Sequence, residues 1–255
     1  MIGGVDRRVW MAIAFFSFLA VFAGRPYGEF LLASGPAAAR ARDPLTRLAL
    51  QILFTVFGTW PLAAFGLILG GRLGLGAPLL TAWFEGAPVA ARARAALGPA
   101  ALLGFGLGAA LLALFSLGHG ALGTQLLGRT PAAPPAWAGA LAAFAAGVTE
   151  EILLRLFLMS ALLFLLAKAF PRPAALWTAN ALAALVFGAL HFGNVSALGL
   201  HLDFGIAATV LALNGVVGLL CGWLYASRGI EAAMVAHIAC DLVLHGLGAT
   251  LGGAR

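Results

Sequence analysis

The sequence predicts an all-α protein, a polytopic membrane helical bundle of about seven to eight transmembrane helices. Of its 255 residues, 62% are hydrophobic and only 9% are charged, and the mean hydropathy is +1.02. A soluble domain averages about 45–50% apolar and about 25% charged residues. Apolar runs of transmembrane length recur along the chain, and a segment that crosses lipid must satisfy its backbone hydrogen bonds internally, as a helix does.

Each apolar run predicts one span. The seven predicted spans are 9–24, 45–70, 98–117, 137–168, 174–192, 205–226 and 230–250. The segment 71–96 mixes apolar and charged residues and could hide a short interfacial helix, which would be the eighth. The fourth span is too long for a hydrocarbon core of ~30 Å at ~1.5 Å per residue, so we expect it to be tilted, kinked or protruding.

The segments between the spans carry the polar, glycine and proline residues that are typical of loops. The predicted connections are 25–44, 118–136, 193–204 and the turn 227–229. Prolines at 171 and 173 are expected to end the fourth span, because proline lacks a backbone donor. Glycine pairs spaced four apart would let helix backbones approach closely, although an Ala/Gly-biased composition also produces them. These pairs are Gly66/Gly70, Gly104/Gly108 and Gly218/Gly222.

The N-terminal segment has two readings. Arg7-Arg8 followed by an apolar run resembles a signal peptide, but we favour a retained first span because many spans follow.

A slight excess of Lys and Arg on the side of the N-terminus favours a cytoplasmic N-terminus. The net charge of +6 fits contact with lipid headgroups. No basic patch interleaved with aromatic residues points to nucleic acid, so we expect none as a partner.

The stretch Thr149-Glu150-Glu151-Ile-Leu-Leu-Arg155 puts three ionisable side chains inside the fourth span. A charged group at the centre of a membrane helix costs roughly 2.5–3.5 kcal/mol on insertion scales. Glu151 and Arg155 are spaced i,i+4 and can neutralise each other. Glu150 lies about 100° round the helix and needs a partner on another helix or a water-filled cavity.

Two other spans also carry acid or imidazole groups. His191 ends the fifth span, and His237, Asp241 and His245 share one face of the seventh at i, i+4 and i+8. One histidine in an apolar helix is more often hydrogen-bonded packing than a ligand. Four such groups in a medium without partners are most cheaply satisfied by one another, so we expect Glu150, His191, His237 and Asp241 to converge on one polar cavity.

Such a cavity is equipped to activate water. Glu150 is the candidate general base, and a histidine, alone or with Asp241, could stabilise the oxyanion of a tetrahedral intermediate. Asp241, one turn from His237, could fix its imidazole tautomer. The set Glu150, His191, His237 and Asp241 could instead bind one divalent metal such as zinc. The residue types leave both readings open.

Cys221 and Cys240 are expected to be buried free thiols.

Three motifs follow one another on separate spans, and they are Glu150-Glu151-x-x-x-Arg155, Phe187-x-x-x-His191 and His237-x-x-x-Asp241. Together they resemble the motifs of the CPBP (Abi) family, which comprises CAAX prenyl endopeptidases and bacteriocin-processing enzymes. The resemblance implies that Glu150 is the catalytic glutamate and that His191 and His237 are the two catalytic histidines. It also implies that Glu151 and Arg155 form the supporting pair. Position 241 is more often Asn in the CAAX-cleaving branch. The family is often labelled metalloprotease, while a metal-free, glutamate-activated water is argued for that branch.

The reading is therefore an intramembrane endopeptidase, with N-terminal spans and loops at 1–130 and a catalytic core at 131–255. Its expected substrate is a peptide or protein, lipidated or membrane-associated, and its expected location is the bacterial cytoplasmic (inner) membrane. Asn194 is a supporting candidate at the cavity. A protein that binds or transports a proton, metal or small solute is the alternative, and a catalytically silent immunity or scaffold protein is a third.

Overall fold

The computed structural model describes residues 4–34, 43–117, 134–197 and 201–247, and the regular structure in these ranges is helical. The all-α prediction is confirmed. The helices are α1 Arg7–Ser34, α2 Pro44–Arg72, α3 Pro78–Phe84, α4 Ala90–Leu117, α5 136–166, α6 Arg172–Leu190, α7 Phe192–Ala197, α8 Phe204–Arg228 and α9 Ile230–Leu247.

Within these ranges, six helical segments are long and apolar enough to cross a membrane. They contain α1, α2, α4, α6, α8 and α9, and together with α5 they correspond to the seven predicted spans. Helix α5 lies at the centre of the bundle, where it packs against α1, α2, α6, α8 and α9. A π-helical stretch, Ile152–Met159, interrupts it directly after the two glutamates. Such π turns within α-helices often lie at functional sites.

The prediction of a connection at 25–44 was wrong for the first part of that range. Helix α1 continues through Pro26 to Ser34. The polar side chains that suggested a loop are paired: Arg25 Nη2 lies 3.2 Å from Glu29 Oε1, and Arg47 on α2 binds the same carboxylate. Ion pairing along and between helices therefore satisfies charges that the sequence pattern assigned to solvent.

Other boundaries also differ from the prediction. The segment 193–204 begins as helix α7, and α8 continues to Arg228, which leaves Gly229 at φ +98° as the turn. That left-handed conformation is open to glycine without strain. Helix α4 begins at Ala90, so Arg92 and Arg94 are helical. The predicted loop 118–136 lies outside the described residues except for its last three, and 136 already begins α5.

The mixed segment 71–96 does contain a short helix, α3. Its first turn is tied to α9, because the backbone N–H groups of Leu79 and Leu80 both donate to Glu231 Oε1 at 2.9 Å. A carboxylate at a helix N-terminus accepts hydrogen bonds from backbone N–H groups that have no partner within the helix, and its negative charge interacts favourably with the helix dipole.

The three predicted glycine pairs all lie at close helix–helix contacts. A Cβ at Gly66 would overlap the Leu156 backbone of α5, and one at Gly104 or Gly108 would overlap the backbone of α9. On α6, a Cβ at Gly218 would meet Ala184, and a Cβ at Gly222 would overlap the Asn180 side chain. Small residues here let the central helices pack backbone to backbone.

We expect Gly104→Ala to destabilise the protein by about 1–3 kcal/mol, because its methyl group would meet the Ala236 carbonyl of α9. Gly106→Ala is the matched control on the same helix, since a Cβ there meets nothing within 4 Å. That control should be neutral or slightly stabilising, because alanine favours a helix over glycine. Thermal melting in detergent compares the two variants, and equal shifts would contradict the packing assigned to α4 and α9.

Candidate active site

The two adjacent glutamates of α5 face different surroundings. The side chains of Glu151 and Arg155 are both 0% exposed, and Arg155 Nε lies 3.4 Å from Glu151 Oε2. The guanidinium carbon of Arg155 also sits 5.2 Å from the centre of the Phe187 ring, a cation–π distance. Glu150 turns away from this pair, and 34% of its side chain is exposed. The i,i+4 spacing thus produces the expected ion pair, and the neighbouring carboxylate is left for a cavity.

His237 of α9 reaches both glutamates. Its Nδ1 lies 2.8 Å from Glu151 Oε1. Its Nε2 lies 3.9 Å from Glu150 Oε2 and 3.6 Å from Asp241 Oδ2. An ionised carboxylate only accepts, so Nδ1–H is the donor to Glu151. The sequence assigned the orientation of this imidazole to Asp241. The structure assigns it to Glu151, and Asp241 lies on the Nε2 side instead.

A cavity of about 130 Å³ opens beside Glu150 and is lined by Glu150, Phe187, Leu190, His191 and Asn194. It has room for several water molecules, since each occupies about 30 Å³. Glu150 Oε2 is buried and has no hydrogen-bond partner within the described part of the chain. A buried polar atom of this kind requires a partner, and a rotation of the carboxylate into the cavity would expose it to water or to a substrate.

His191 ends helix α6 at the rim of this cavity. Its Nδ1 lies 2.9 Å from the Phe187 carbonyl oxygen. Because a carbonyl only accepts, Nδ1 carries the proton, and in a neutral ring Nε2 holds the lone pair. The Phe187 ring contacts both imidazoles edge-on, with centroid distances of 4.8 Å to His191 and 5.5 Å to His237. This ring fixes the two histidines relative to each other.

The structure therefore brings the sequence candidates into one neighbourhood. Glu150, His191 and Asn194 line the cavity directly, while His237 adjoins Glu150 and Asp241 adjoins His237. The contact that sequence reasoning missed is Cys221 of α8, a buried free cysteine beside Glu151 and His237. Nothing in a lone cysteine within an apolar run indicates which neighbouring helix it faces.

Two polar side chains outside this cluster, those of His245 and Asp203, make structural contacts. The His245 ring meets Tyr27 of α1, with Nδ1 3.1 Å from the phenol oxygen. Asp203 caps α8 by accepting from the Ile206 N–H at 2.8 Å. His201 is exposed, and His119 lies outside the described residues.

The fit of a metal to the site can be judged from its donor atoms. Among the described residues, a group of donors within 4.8 Å of one another is formed by Glu151, Cys221 and His237. The set predicted from sequence, Glu150, His191, His237 and Asp241, does not form such a group. Glu150 Oε2 and Asp241 Oδ2 lie 3.9 Å and 3.6 Å from His237 Nε2, and metal binding by this set stays a prediction.

A multi-pass helical bundle with acid and imidazole groups beside an interior cavity defines a polytopic membrane protein with an ionisable intramembrane site. Residues 131–243 match the family model described as type II CAAX prenyl endopeptidase Rce1-like. The match spans the three motifs on α5, α6 and α9, so it supports the resemblance to CAAX proteases and, with it, a protease in the membrane. No curated protein and no solved structure matches the chain. The division at 130/131 stays a prediction.

Proposed function

We propose that the protein is an intramembrane endopeptidase in which the Glu150 carboxylate activates the attacking water. The observation that carries this proposal is the placement of Glu150: its partly exposed side chain lines a cavity with room for water, and His191 lines the same cavity. A general base must lie within hydrogen-bond reach of the proton it removes, directly or through one water.

In the proposed reaction, Glu150 takes a proton from water while the water oxygen attacks the carbonyl carbon of the peptide bond. The carbonyl oxygen becomes an oxyanion, and Glu150 returns the proton to the amine as the carbon–nitrogen bond breaks. A protonated His237 can donate at both ring nitrogens, to Glu151 through Nδ1 and to the oxyanion through Nε2. The carboxylates on either side of its ring support that protonated form.

Glu151 and Arg155 act as a support for His237 in this scheme. Arg155 neutralises Glu151, and Glu151 orients the imidazole, as carboxylates commonly do for functional histidines. No step requires a metal, and the proposal includes none. The substrate is a peptide or protein held at the membrane, with a lipidated C-terminus as the form that the family suggests. We place the protein in the bacterial cytoplasmic (inner) membrane.

The test uses purified protein in liposomes and a fluorescence-quenched peptide with a farnesylated cysteine near its C-terminus, alongside the same peptide without lipid. Cleavage is followed by fluorescence, and the product is identified by mass spectrometry. His191 lines the cavity, and its Nε2 lone pair can accept a hydrogen bond from the attacking water, so His191→Ala should lose cleavage. His201→Ala, an exposed histidine away from the cavity, should keep it. Equal turnover in the two variants would overturn the assignment of this cavity.

A further inference from the structure

The buried neighbourhood behind His237 contains a thiol that the proposed reaction does not use. Cys221 of α8 is 0% exposed, and its Sγ has a weak contact of 3.8 Å with the Ala233 carbonyl oxygen. One ligand atom each from Cys221, Glu151 and His237 lies within 4.8 Å of the others. These three side chains come from three different helices, α8, α5 and α9.

The chemistry of these donors suits zinc and similar thiophilic cations. Zinc binds cysteine sulfur at about 2.3 Å, histidine nitrogen at about 2.0–2.1 Å and carboxylate oxygen at about 2.0–2.2 Å. Two donors bound to one tetrahedral zinc stand roughly 3–4 Å apart, so a separation below 4.8 Å closes with small side-chain movements. Soft thiolate ligands select zinc over magnesium or calcium.

Charge balance also favours the binding of a divalent cation by these three side chains. Arg155 pairs with Oε2 of Glu151, which leaves Oε1 for a cation. A divalent ion would replace two protons, one from the Cys221 thiol and one from Nδ1 of protonated His237, and both protons would leave to solvent. The net charge of the buried cluster would then stay the same. Burying an additional net charge would instead carry a large desolvation cost.

We propose that Cys221, Glu151 and His237 form an inhibitory binding site for a thiophilic divalent cation such as Zn²⁺. A cation on Nδ1 replaces the hydrogen bond between His237 and Glu151 that orients the imidazole. The cation would bind on the Nδ1 side of the ring, away from Glu150. His237 would then no longer be held in its catalytic orientation. The inhibitory effect rests on the proposed function, whereas the binding itself does not.

The binding test adds Co²⁺ to the purified protein in detergent and records its absorption spectrum. A thiolate bound to cobalt produces a charge-transfer band in the near ultraviolet. We expect the band in the wild-type protein and in Cys240→Ala, which removes the other buried cysteine, and we expect Cys221→Ala to lack it. Should Cys221→Ala fail to fold, Cys221→Ser keeps the side-chain size and should also lack the band. The absence of a band in the wild-type protein, or its persistence without Cys221, would overturn the site.

The inhibition test measures peptide cleavage during titration with Zn²⁺, each variant relative to its own metal-free rate. Wild type and Cys240→Ala should lose cleavage and recover it on chelation, while Cys221→Ser should require at least about tenfold more Zn²⁺. Equal sensitivity of Cys221→Ser and wild type would overturn inhibition at this site. If no variant cleaves peptide, the proposed function fails, and the cobalt spectra still decide whether the cation site exists.

Discussion

Glu150→Gln should reduce peptide cleavage by about 10²–10⁴-fold while leaving the protein folded, because a positioned general base contributes about that factor. The substitution keeps the size of the side chain and removes its ability to accept the proton of water. Initial rates in liposomes, with melting temperature and elution profile as checks of folding, measure the effect. Glu85→Gln is the matched control, since Glu85 is an exposed glutamate at the end of α3.

Two results are informative against the proposal. Turnover of Glu150→Gln at the rate of Glu85→Gln would remove Glu150 from the chemistry. Movement of protons or a solute across the liposome membrane by wild type, lost in a folded Glu150→Gln protein and without any cleavage by wild type, would favour the transport alternative.

Arg155→Ala should destabilise the protein far more than Glu150→Ala. Removing one partner of a buried ion pair typically costs 3–5 kcal/mol, because the other charge remains buried without compensation. Glu151 and Arg155 are both 0% exposed, whereas Glu150 is partly exposed to the cavity. Melting temperatures in the same detergent compare the two variants.

The double variant Glu151→Gln/Arg155→Met is the control for this prediction. It removes both charges while approximating the side-chain volumes, so it should recover part of the stability lost in Arg155→Ala. A melting temperature of Glu150→Ala below that of Arg155→Ala would contradict the assigned roles of the two sites.

The sequence predicted the parts of the site that local geometry determines. The i,i+4 spacing was enough to pair Glu151 with Arg155, and the cost of charge in lipid was enough to expect a cavity beside Glu150. The partner of His237 Nδ1 was not predictable in this way. Choosing between Glu151 and Asp241 depends on how α5 and α9 are rotated against each other, which is decided by packing among glycines such as Gly147, where a Cβ would overlap Ile238.

The same reasoning explains the misplaced boundaries. Helix α1 was ended at the first polar residues, but Glu29 meets cations from α1 and α2, so a long-range partner turns a loop signal into helix. Helix α7 was missed because a segment of six residues, Phe192–Ala197, is too short to show a helical period. For α1, the deciding contact lies outside the local sequence window.

The most direct test of glutamate-activated water is the turnover of protein from which metal has been stripped, with bound metal quantified in the same sample. The account predicts undiminished cleavage by protein that holds far less than one metal ion per chain. Loss of cleavage on stripping, with recovery on adding back one divalent ion per chain, would show that a metal rather than the Glu150 carboxylate activates the water.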